Sequence, residues 1–334
     1  MQSIFSIKPG VFRLALALIV VIYHLSKYMF LGVFAVYCFF ILSGYWVVRM
    51  YSEKYNSLKM ATLKFYSSRI IRIYPLYIAM TLLTLLMNII FRAGYIDLLK
   101  SFNPINWITI FGLIGYNTGP RVIPPAWSLD IEMQFYIIVP LLCLLISKFK
   151  KINTLLLVSF LIWINYCFAI IDIKMPIKQT VLPFLFYFLL GAKLYLSPNI
   201  FSKKQVYISL FLFVGVVMMH YFLPDLRLKV IGKNDLVYFE QINLLLPLLL
   251  LPFISYNLKV VSDQKDRYYG NLSYTVYLFH WFLIIPYNYF MEQLSFIQRL
   301  PISLIYIAAT IVLSDYILKY FEVPVQQQLK AIGK

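Results

Sequence analysis

Long, continuous runs of apolar residues make up most of the chain, and polar residues are confined to short stretches between them. A helix needs about 20 mostly apolar residues to cross a bilayer core, and continuous rather than alternating apolar runs favour helices over membrane-spanning strands. We therefore predict an all-α polytopic membrane bundle of about ten transmembrane helices. The predicted spans are 10–27, 33–51, 70–91, 126–146, 154–172, 179–196, 205–223, 240–257, 270–289 and 301–321. A shorter apolar piece at 107–116 is predicted to be a re-entrant or interfacial helix.

The composition excludes several other classes of protein. Of the 334 residues, 62% are hydrophobic and 13% are charged, and the mean hydropathy is +0.79. A soluble domain usually carries about a quarter charged residues, so one aqueous core cannot account for this chain. Cys38, Cys143 and Cys167 lie inside apolar runs without CxxC spacing, which indicates neither disulfides nor a metal site. We expect one membrane domain over residues 1–334.

The basic residues predict the orientation of the bundle. The formal charge is +17, but the Lys and Arg residues lie between apolar runs, which fits membrane topology better than nucleic-acid binding. With the N-terminus inside, roughly 20 of the 30 Lys and Arg residues fall on the cytoplasmic side,. The basic segment 148–151 after the fourth span is the strongest single indicator. We predict that both termini lie on the cytoplasmic side of the membrane (N-in, C-in).

Two ionisable residues lie within the first span. Arg13 and His24 are 11 residues apart, which places them on one helical face and about 16 Å apart along the axis. Ionisable residues at membrane depth are candidate functional residues. The spacing is close to the reach of an extended phosphopantetheine arm, so the cation could hold a phosphate while the imidazole acts on a thioester. The alternative is that Arg13 snorkels to the interface and His24 bonds a neighbouring helix.

Three further segments contain candidate site residues. Arg69 and Arg72 share a helical face at the predicted inner mouth of the third span, where they could bind a polyanionic donor or act as ordinary positive-inside anchors. Four residues from the segment 127–136 are candidates for binding or catalysis: Trp127, Ser128, Glu132 and Tyr136. The helix dipole favours an acid at a helix start, and this ordinary explanation fits Asp130 better than it fits Glu132. His280 is a second intramembrane imidazole.

These motifs together resemble the acyltransferase 3 family of membrane O-acyltransferases. The matching segments, in family order, are Arg13-x10-His24, the Phe39–Tyr45 sequence FFILSGY, Arg69-x-x-Arg72-Ile73-x-Pro75, Trp127-Ser128-Leu129-x-x-Glu132-x-x-Phe135-Tyr136 and the weaker Ser273-Tyr274-x-x-Tyr277-Leu278-x-His280. Each motif is modest alone, but five in order across most of the chain are specific.

The resemblance implies a function and roles for the residues. It implies transfer of an acyl group, usually acetyl from acetyl-CoA, to a hydroxyl of a cell-envelope glycan, such as O-antigen or exopolysaccharide, or of a lipid-linked sugar, at the bacterial inner (cytoplasmic) membrane. Some members carry a fused SGNH-type esterase domain, and we expect none here. Because the histidines lack the close spacing of metal ligands, we expect no metal. His24 would be the catalytic residue, and Glu132 would belong to the acceptor-side half of the catalytic site. Arg13, Arg69 and Arg72 would engage the donor phosphates. Trp127, Ser128, Tyr136 and His280 are expected to bind substrate.

Two mechanisms and two other functional classes stay open from the sequence. Neutral His24 could remove the hydroxyl proton as the sugar attacks the thioester, or the acetyl group could first be carried on His24 or a nearby Tyr. A lipid-linked sugar transporter or flippase would also be a basic bundle with intramembrane charges, although no inverted repeat is visible. A structural scaffold explains none of the buried ionisable residues.

Overall fold

The structure, a computed structural model, is built from helices. It describes residues 6–26, 29–91, 104–113, 115–116, 119, 121–168, 179–197, 200–222, 235–291 and 293–332. The helices are α1 (Pro9–Leu25), α2 (Gly32–Met50), α3 (Ala61–Ile90), α4 (Pro104–Gly112), α5 (Trp127–Phe149), α6 (Ile152–Phe168), α7 (Leu185–Leu196), α8 (Lys203–Phe222), α9 (Asp235–Leu249), α10 (Leu251–Asn257), α11 (Gln264–Met291), α12 (Phe296–Ile317) and α13 (Val323–Ile332). Short 3-10 turns precede α5 and α7, and π turns extend α2 and α12.

Helices overlap all ten predicted spans. Within the described residues, five helical segments are long and apolar enough to cross a membrane, and several shorter apolar helices accompany them. The outer faces of α8 and α12 expose large apolar side chains such as Phe211 and Ile305, as expected where lipid rather than water is the solvent. The all-α, membrane-type architecture predicted from the sequence is confirmed at this level.

Helix α1 packs along α11 and against α2. On its other side α2 packs on α7, and glycines allow a close approach there. A Cβ atom on Gly44 would lie 2.0 Å from the carbonyl oxygen of Phe188, and one on Gly191 would lie 2.0 Å from that of Ile41. Small residues at helix crossings let backbones touch and gain dispersion energy where lipid removes the hydrophobic driving force between helices.

The N-terminus of α1 is held by the start of α11 and the end of α10. The buried Asp266 carboxylate accepts a hydrogen bond from the Val11 N–H at 2.9 Å, and Asn257 Oδ1 accepts one from the Ile7 N–H at 2.6 Å. Lys8 and Asp263 form an exposed ion pair at 2.5 Å. These contacts satisfy backbone donors that a helix start leaves unpaired. They also fix the height of α1 beside α11, and therefore the height of the ionisable residues that both helices contain.

The apolar piece predicted as a helix at 107–116 overlaps α4, which begins earlier, at Pro104, and ends at Gly112. The hydroxyls of Tyr74 and Tyr77, from the middle of α3, donate to the carbonyls of Gly112 and Ile110 near the end of α4. Ile110 is buried. Non-helical backbone at membrane depth is tolerated where protein buries it. The end of α4 therefore packs inside the bundle, and α5 begins close to the middle of α3.

The start of α3 differs from the prediction. The third span was expected from residue 70, with Arg69 and Arg72 at its mouth, but α3 begins at Ala61. The segment 61–69 has no proline or glycine to stop the helix, and Phe65 is fully buried. The arginines consequently lie in the third and fourth turns of α3, inside the bundle rather than at a helix end.

Candidate active site

A polar cavity of about 100 Å³ lies where α1, α2, α3, α5 and α11 meet. It brings together the three arginines singled out in the sequence together with one carboxylate. Its charged and phenolic lining residues are Arg13, Arg69, Arg72, Glu132, Tyr136 and Tyr274. Three guanidinium groups face a single lining carboxylate, so the cavity carries excess positive charge. Such an arrangement suits an anion with several negative oxygen atoms.

Arg72 is oriented by an acid from the other end of the chain. Its Nη1 lies 3.2 Å from Oε1 of Glu322, which is 1% exposed in the π turn after α12. Thr275 Oγ1 donates to Glu322 Oε2 at 2.7 Å, and Gln326 Nε2 donates to Oε1 at 3.0 Å. The guanidinium carbon also lies 5.5 Å from the centroid of the Tyr274 ring. The geometry therefore holds the guanidinium in one direction at the cavity wall.

Glu322 was not identified as a candidate from the sequence. The available signal was a lone acid among basic and apolar residues after the last predicted span. Its partner lies 250 residues earlier in the chain, and no local spacing rule connects the two.

Arg13 and Arg69 have no ion-pair partner among the described residues. Nε of Arg13 is buried without a hydrogen-bond partner. Arg69 Nη2 contacts Met50 Sδ at 3.2 Å, and its guanidinium lies 5.7 Å from the centre of the Tyr136 ring. An unpaired buried cation is costly unless a ligand supplies the counter-charge. These two residues are therefore the best placed to bind an incoming anion.

Glu132 lies in the arginine cavity and is held by two hydroxyl groups. Its Oε1 accepts hydrogen bonds from Ser43 of α2 and Tyr136 of α5, both at 2.6 Å. The sequence reasoning expected Glu132 in the acceptor-side half of the site. Glu132 lines both this cavity and the second cavity described below, and its place in the acceptor-side half of the site stays a prediction. Ser43 was quoted only as part of a motif, and its contact with Glu132 was not foreseen.

A second, smaller cavity of about 60 Å³ continues from the first and shares Arg13, Glu132 and Tyr274 with it. Its wall includes Ser128, whose Oγ lies 2.8 Å from the hydroxyl of Tyr277. The same Tyr277 hydroxyl is 2.7 Å from the Pro125 carbonyl, to which it donates. Ser128 therefore lines the second cavity, and its role in substrate binding stays a prediction.

Trp127 is placed differently from Ser128. Its ring packs against Phe40 and Phe184, with centroid distances of 6.1 and 5.7 Å. It is not among the residues that line either cavity. The described structure therefore gives Trp127 a packing contact and does not place it at the cavity surface.

The two intramembrane histidines form a stacked pair. The ring centroids of His24 in α1 and His280 in α11 are 5.4 Å apart, with an interplanar angle of 26°. Trp281 contacts His24 edge-on at 5.1 Å. His280 is fully buried, its Nδ1 lies 3.3 Å from the Val276 carbonyl oxygen, and its Nε2 has no partner among the described residues. The sequence singled out both residues but gave no reason to expect them in contact.

The two cavities and the histidine pair follow one another along α1 and α11, and we call this line of residues the path, although neither histidine lines either cavity. On α11, Tyr274 lines both cavities, Tyr277 lines the second, and the ring of His280 is 6.1 Å from that of Tyr277. On α1, Arg13 lines both cavities and His24 lies about 16 Å further along the helix,. One end of the path can hold a polyanion, and the other presents two imidazoles that can accept protons when neutral.

Comparison with known proteins identifies the family. A family model described as an acyltransferase domain, acyltransferase 3, matches residues 9–319. The O-acetyltransferase OatA of Staphylococcus aureus is 32% identical over 154 residues, which cover 42% of this chain and 26% of that protein. The peptidoglycan O-acetyltransferase OatA of Listeria monocytogenes is 24% identical over 343 residues, covering 94% of this chain and 54% of that protein.

The aligned region spans about half or less of the length of these curated relatives. No solved structure gives a significant match. The family match itself extends from the first residue of α1 into the π turn after α12 and therefore includes every helix that contributes to the two cavities. On this basis the chain belongs to the acyltransferase 3 family.

Proposed function

We propose that this protein transfers an acetyl group from acetyl-CoA to a hydroxyl of a cell-envelope glycan. The observation that carries the proposal is the single path along α1 and α11, with Arg13, Arg69 and Arg72 at one end and the His24–His280 pair at the other. Its length of about 16 Å suits a donor that carries its phosphates and its thioester at opposite ends of a flexible arm. The O-acetyltransferase names of the relatives agree with this proposal.

The proposed topology places the arginine end toward the cytoplasm. About ten helices with both termini inside put the start of α1 and the basic segment 148–151 on that side. Acyl-CoA is a cytoplasmic metabolite too polar to cross lipid, so the donor site must be reachable from there. The acceptor, either a glycan or a lipid-linked sugar in the bilayer, would meet the donor at the histidines.

Charge complementarity supports binding of the donor at the arginine cavity. Arg13 and Arg69 lack ion-pair partners among the described residues, and Arg72 is held in place by Glu322. Guanidinium groups bind phosphate in bidentate fashion. The nucleotide phosphates would supply the missing counter-charge, and the pantetheine arm would pass Tyr274 and Tyr277 toward His24.

The chemistry at the histidines is acyl transfer with proton removal. Neutral His24 takes the proton from the sugar hydroxyl as the oxygen attacks the thioester carbonyl. The C–O bond forms, the C–S bond breaks, and the sulfur leaves with the electron pair. The imidazolium then returns its proton to the thiolate, which restores neutral His24 and releases free CoA thiol.

A covalent variant of the mechanism uses the same residues. The acetyl group would first move to His24 or to a nearby tyrosine such as Tyr23, whose ring lies 5.0 Å from that of His24. This route predicts a burst of CoA release and a trapped acetyl-protein adduct when the acceptor is absent. Strictly sequential kinetics without a burst would support direct transfer.

The proposal is tested by supplying radiolabelled acetyl-CoA to membranes that contain the protein and its glycan. Label in an alkali-labile ester of the glycan, dependent on the protein, is the expected result. Movement of a lipid-linked sugar without consumption of acetyl-CoA would instead support the transporter alternative.

The role of Arg72 in donor binding predicts a specific kinetic change. Replacement of Arg72 by glutamine is expected to raise the KM for acetyl-CoA about 10- to 100-fold, because one charge-assisted phosphate contact is lost. Acetyl-pantetheine, which lacks the nucleotide phosphates, should be a poor donor for the unaltered protein. With this truncated donor the Arg72→Gln variant should transfer acetyl at least as fast as the unaltered protein. An equal loss of transfer with acetyl-CoA and with acetyl-pantetheine would show that Arg72 does not bind the phosphates.

A further inference from the structure

His280 contains a buried imidazole nitrogen that the proposed mechanism does not use. The residue is 0% exposed, and its Nε2 has no hydrogen-bond partner among the described residues. Buried polar atoms in native proteins almost always have partners, so an unpaired one in a site calls for a ligand or a bound water. The missing partner lies at the histidine end of the path, where the acceptor must react.

The local contacts fix which kind of partner this nitrogen needs. Nδ1 of His280 is 3.3 Å from the Val276 carbonyl oxygen, which can only accept, so Nδ1 carries the proton,. No carboxylate among the described residues bonds either ring, and a buried imidazolium without a counter-ion is unfavourable. In the neutral ring the Nε2 atom is then a lone-pair acceptor, and its partner must be an O–H or N–H donor.

His24 offers a second acceptor beside the first. Its ring stacks on that of His280 at 5.4 Å, and neither of its nitrogens has a hydrogen-bond partner among the described residues. The two rings belong to α1 and α11, which pack closely along their length. The two imidazoles therefore lie side by side, and one small molecule with two neighbouring donors would give each of them a partner.

We propose that His280 binds a second hydroxyl of the acceptor sugar, so that the site selects a diol and presents its other hydroxyl to His24. This inference rests on the proposed function. Two O–H groups on adjacent ring carbons are the simplest acceptor chemistry that gives each imidazole one donor. Fixing the neighbouring hydroxyl orients the reacting oxygen toward the thioester, and orientation of this kind lowers the barrier to transfer. The competing partner for Nε2 is an amide N–H of the pantetheine arm of acetyl-CoA, and the experiment below separates these two partners.

The test compares two substitutions of His280 in the full-length protein in membranes, with radiolabelled acetyl-CoA and the native glycan. In His280→Phe a ring remains but the acceptor nitrogen is lost, and transfer at saturating donor should fall about 10- to 100-fold with the KM for acetyl-CoA unchanged. In His280→Gln an amide oxygen can accept in place of Nε2, so transfer should stay within about fivefold of the unaltered protein. His220→Phe, at a buried histidine of α8 outside the path, is the matched control and should transfer normally.

A pair of small probes tests the diol directly. trans-1,2-Cyclohexanediol and cyclohexanol differ by one hydroxyl and can compete with the glycan. The diol should inhibit the unaltered protein at about tenfold lower concentration than the mono-alcohol, and this difference should vanish in His280→Phe.

Several outcomes would overturn the inference. Two concern transfer: normal transfer in His280→Phe, and an equal loss in the two His280 variants when both insert normally. A rise in the KM for acetyl-CoA in His280→Phe would assign Nε2 to an amide of acetyl-CoA instead. Equal or absent inhibition by the two probes would also overturn it. Absence of label with the unaltered protein would refute the proposed function itself and is thereby distinguishable from failure of this inference.

Discussion

Replacing His24 by alanine is expected to reduce acetyl transfer by about 10²- to 10⁴-fold, the usual contribution of a positioned general base. His24 lies on the path from the arginine cavity, stacked on His280 and contacted edge-on by Trp281. Alanine is compatible with the helix α1 but removes the imidazole proposed to take the hydroxyl proton, together with its ring contacts to His280 and Trp281 of α11,. The rate of ester formation in membranes is the measurement, with the amount of inserted protein determined in parallel.

The control for this prediction is His220→Ala. His220 is also a buried histidine of an apolar helix, but its ring packs against Phe30 at 3.9 Å, away from both cavities. It should transfer acetyl normally. Near-normal transfer by His24→Ala would refute the catalytic role of His24 in both the direct and the covalent mechanism.

The second large effect is on folding. Replacing Gly44 by valine is expected to destabilise the protein by about 3 kcal/mol or more, because an added side chain must push the backbones of α2 and α7 apart. The new Cβ alone would lie 2.0 Å from the Phe188 carbonyl oxygen, and backbone cannot move aside as a flexible side chain can. We expect a loss of monodisperse protein after mild heating in detergent. Activity should fall as well, because the neighbouring Ser43 supports Glu132.

Gly215→Val is the matched control for this effect. Gly215 lies in α8, and no atom lies within 4 Å of the Cβ that would be added there. The same change of residue should therefore leave the heated protein monodisperse. Equal stability of the Gly44 and Gly215 variants would contradict the close crossing of α2 and α7.

Local periodicity was sufficient to predict part of the site. The spacing of Arg13 and His24 placed both on one face of α1, and the three-residue spacing placed Arg69 and Arg72 on one face of α3. These are properties of a single helix, for which rise and rotation per residue are known. The run of apolar residues likewise predicted where the helices would lie, within a few residues at most ends.

Contacts between distant segments could not be predicted in this way. Glu322 reaches Arg72, and His280 stacks on His24, through helix packing that no spacing within one segment encodes. The position of Glu132 beside the arginines and Ser43 likewise depends on how α1, α2, α3 and α5 pack together. Polar residues at membrane depth indicated candidate site residues, but the three-dimensional arrangement determined which of them lie together.

The most direct test of the proposed acetyl transfer is a measurement of its stoichiometry with the unaltered protein. Membranes with the protein and its glycan receive acetyl-CoA labelled separately in the acetyl group and in the nucleotide. We expect acetyl label in an alkali-labile ester of the glycan, no nucleotide label there, and one free CoA thiol released for each ester formed. Release of thiol without ester in the glycan, or no consumption of acetyl-CoA while the glycan is intact and the protein inserted, would contradict it.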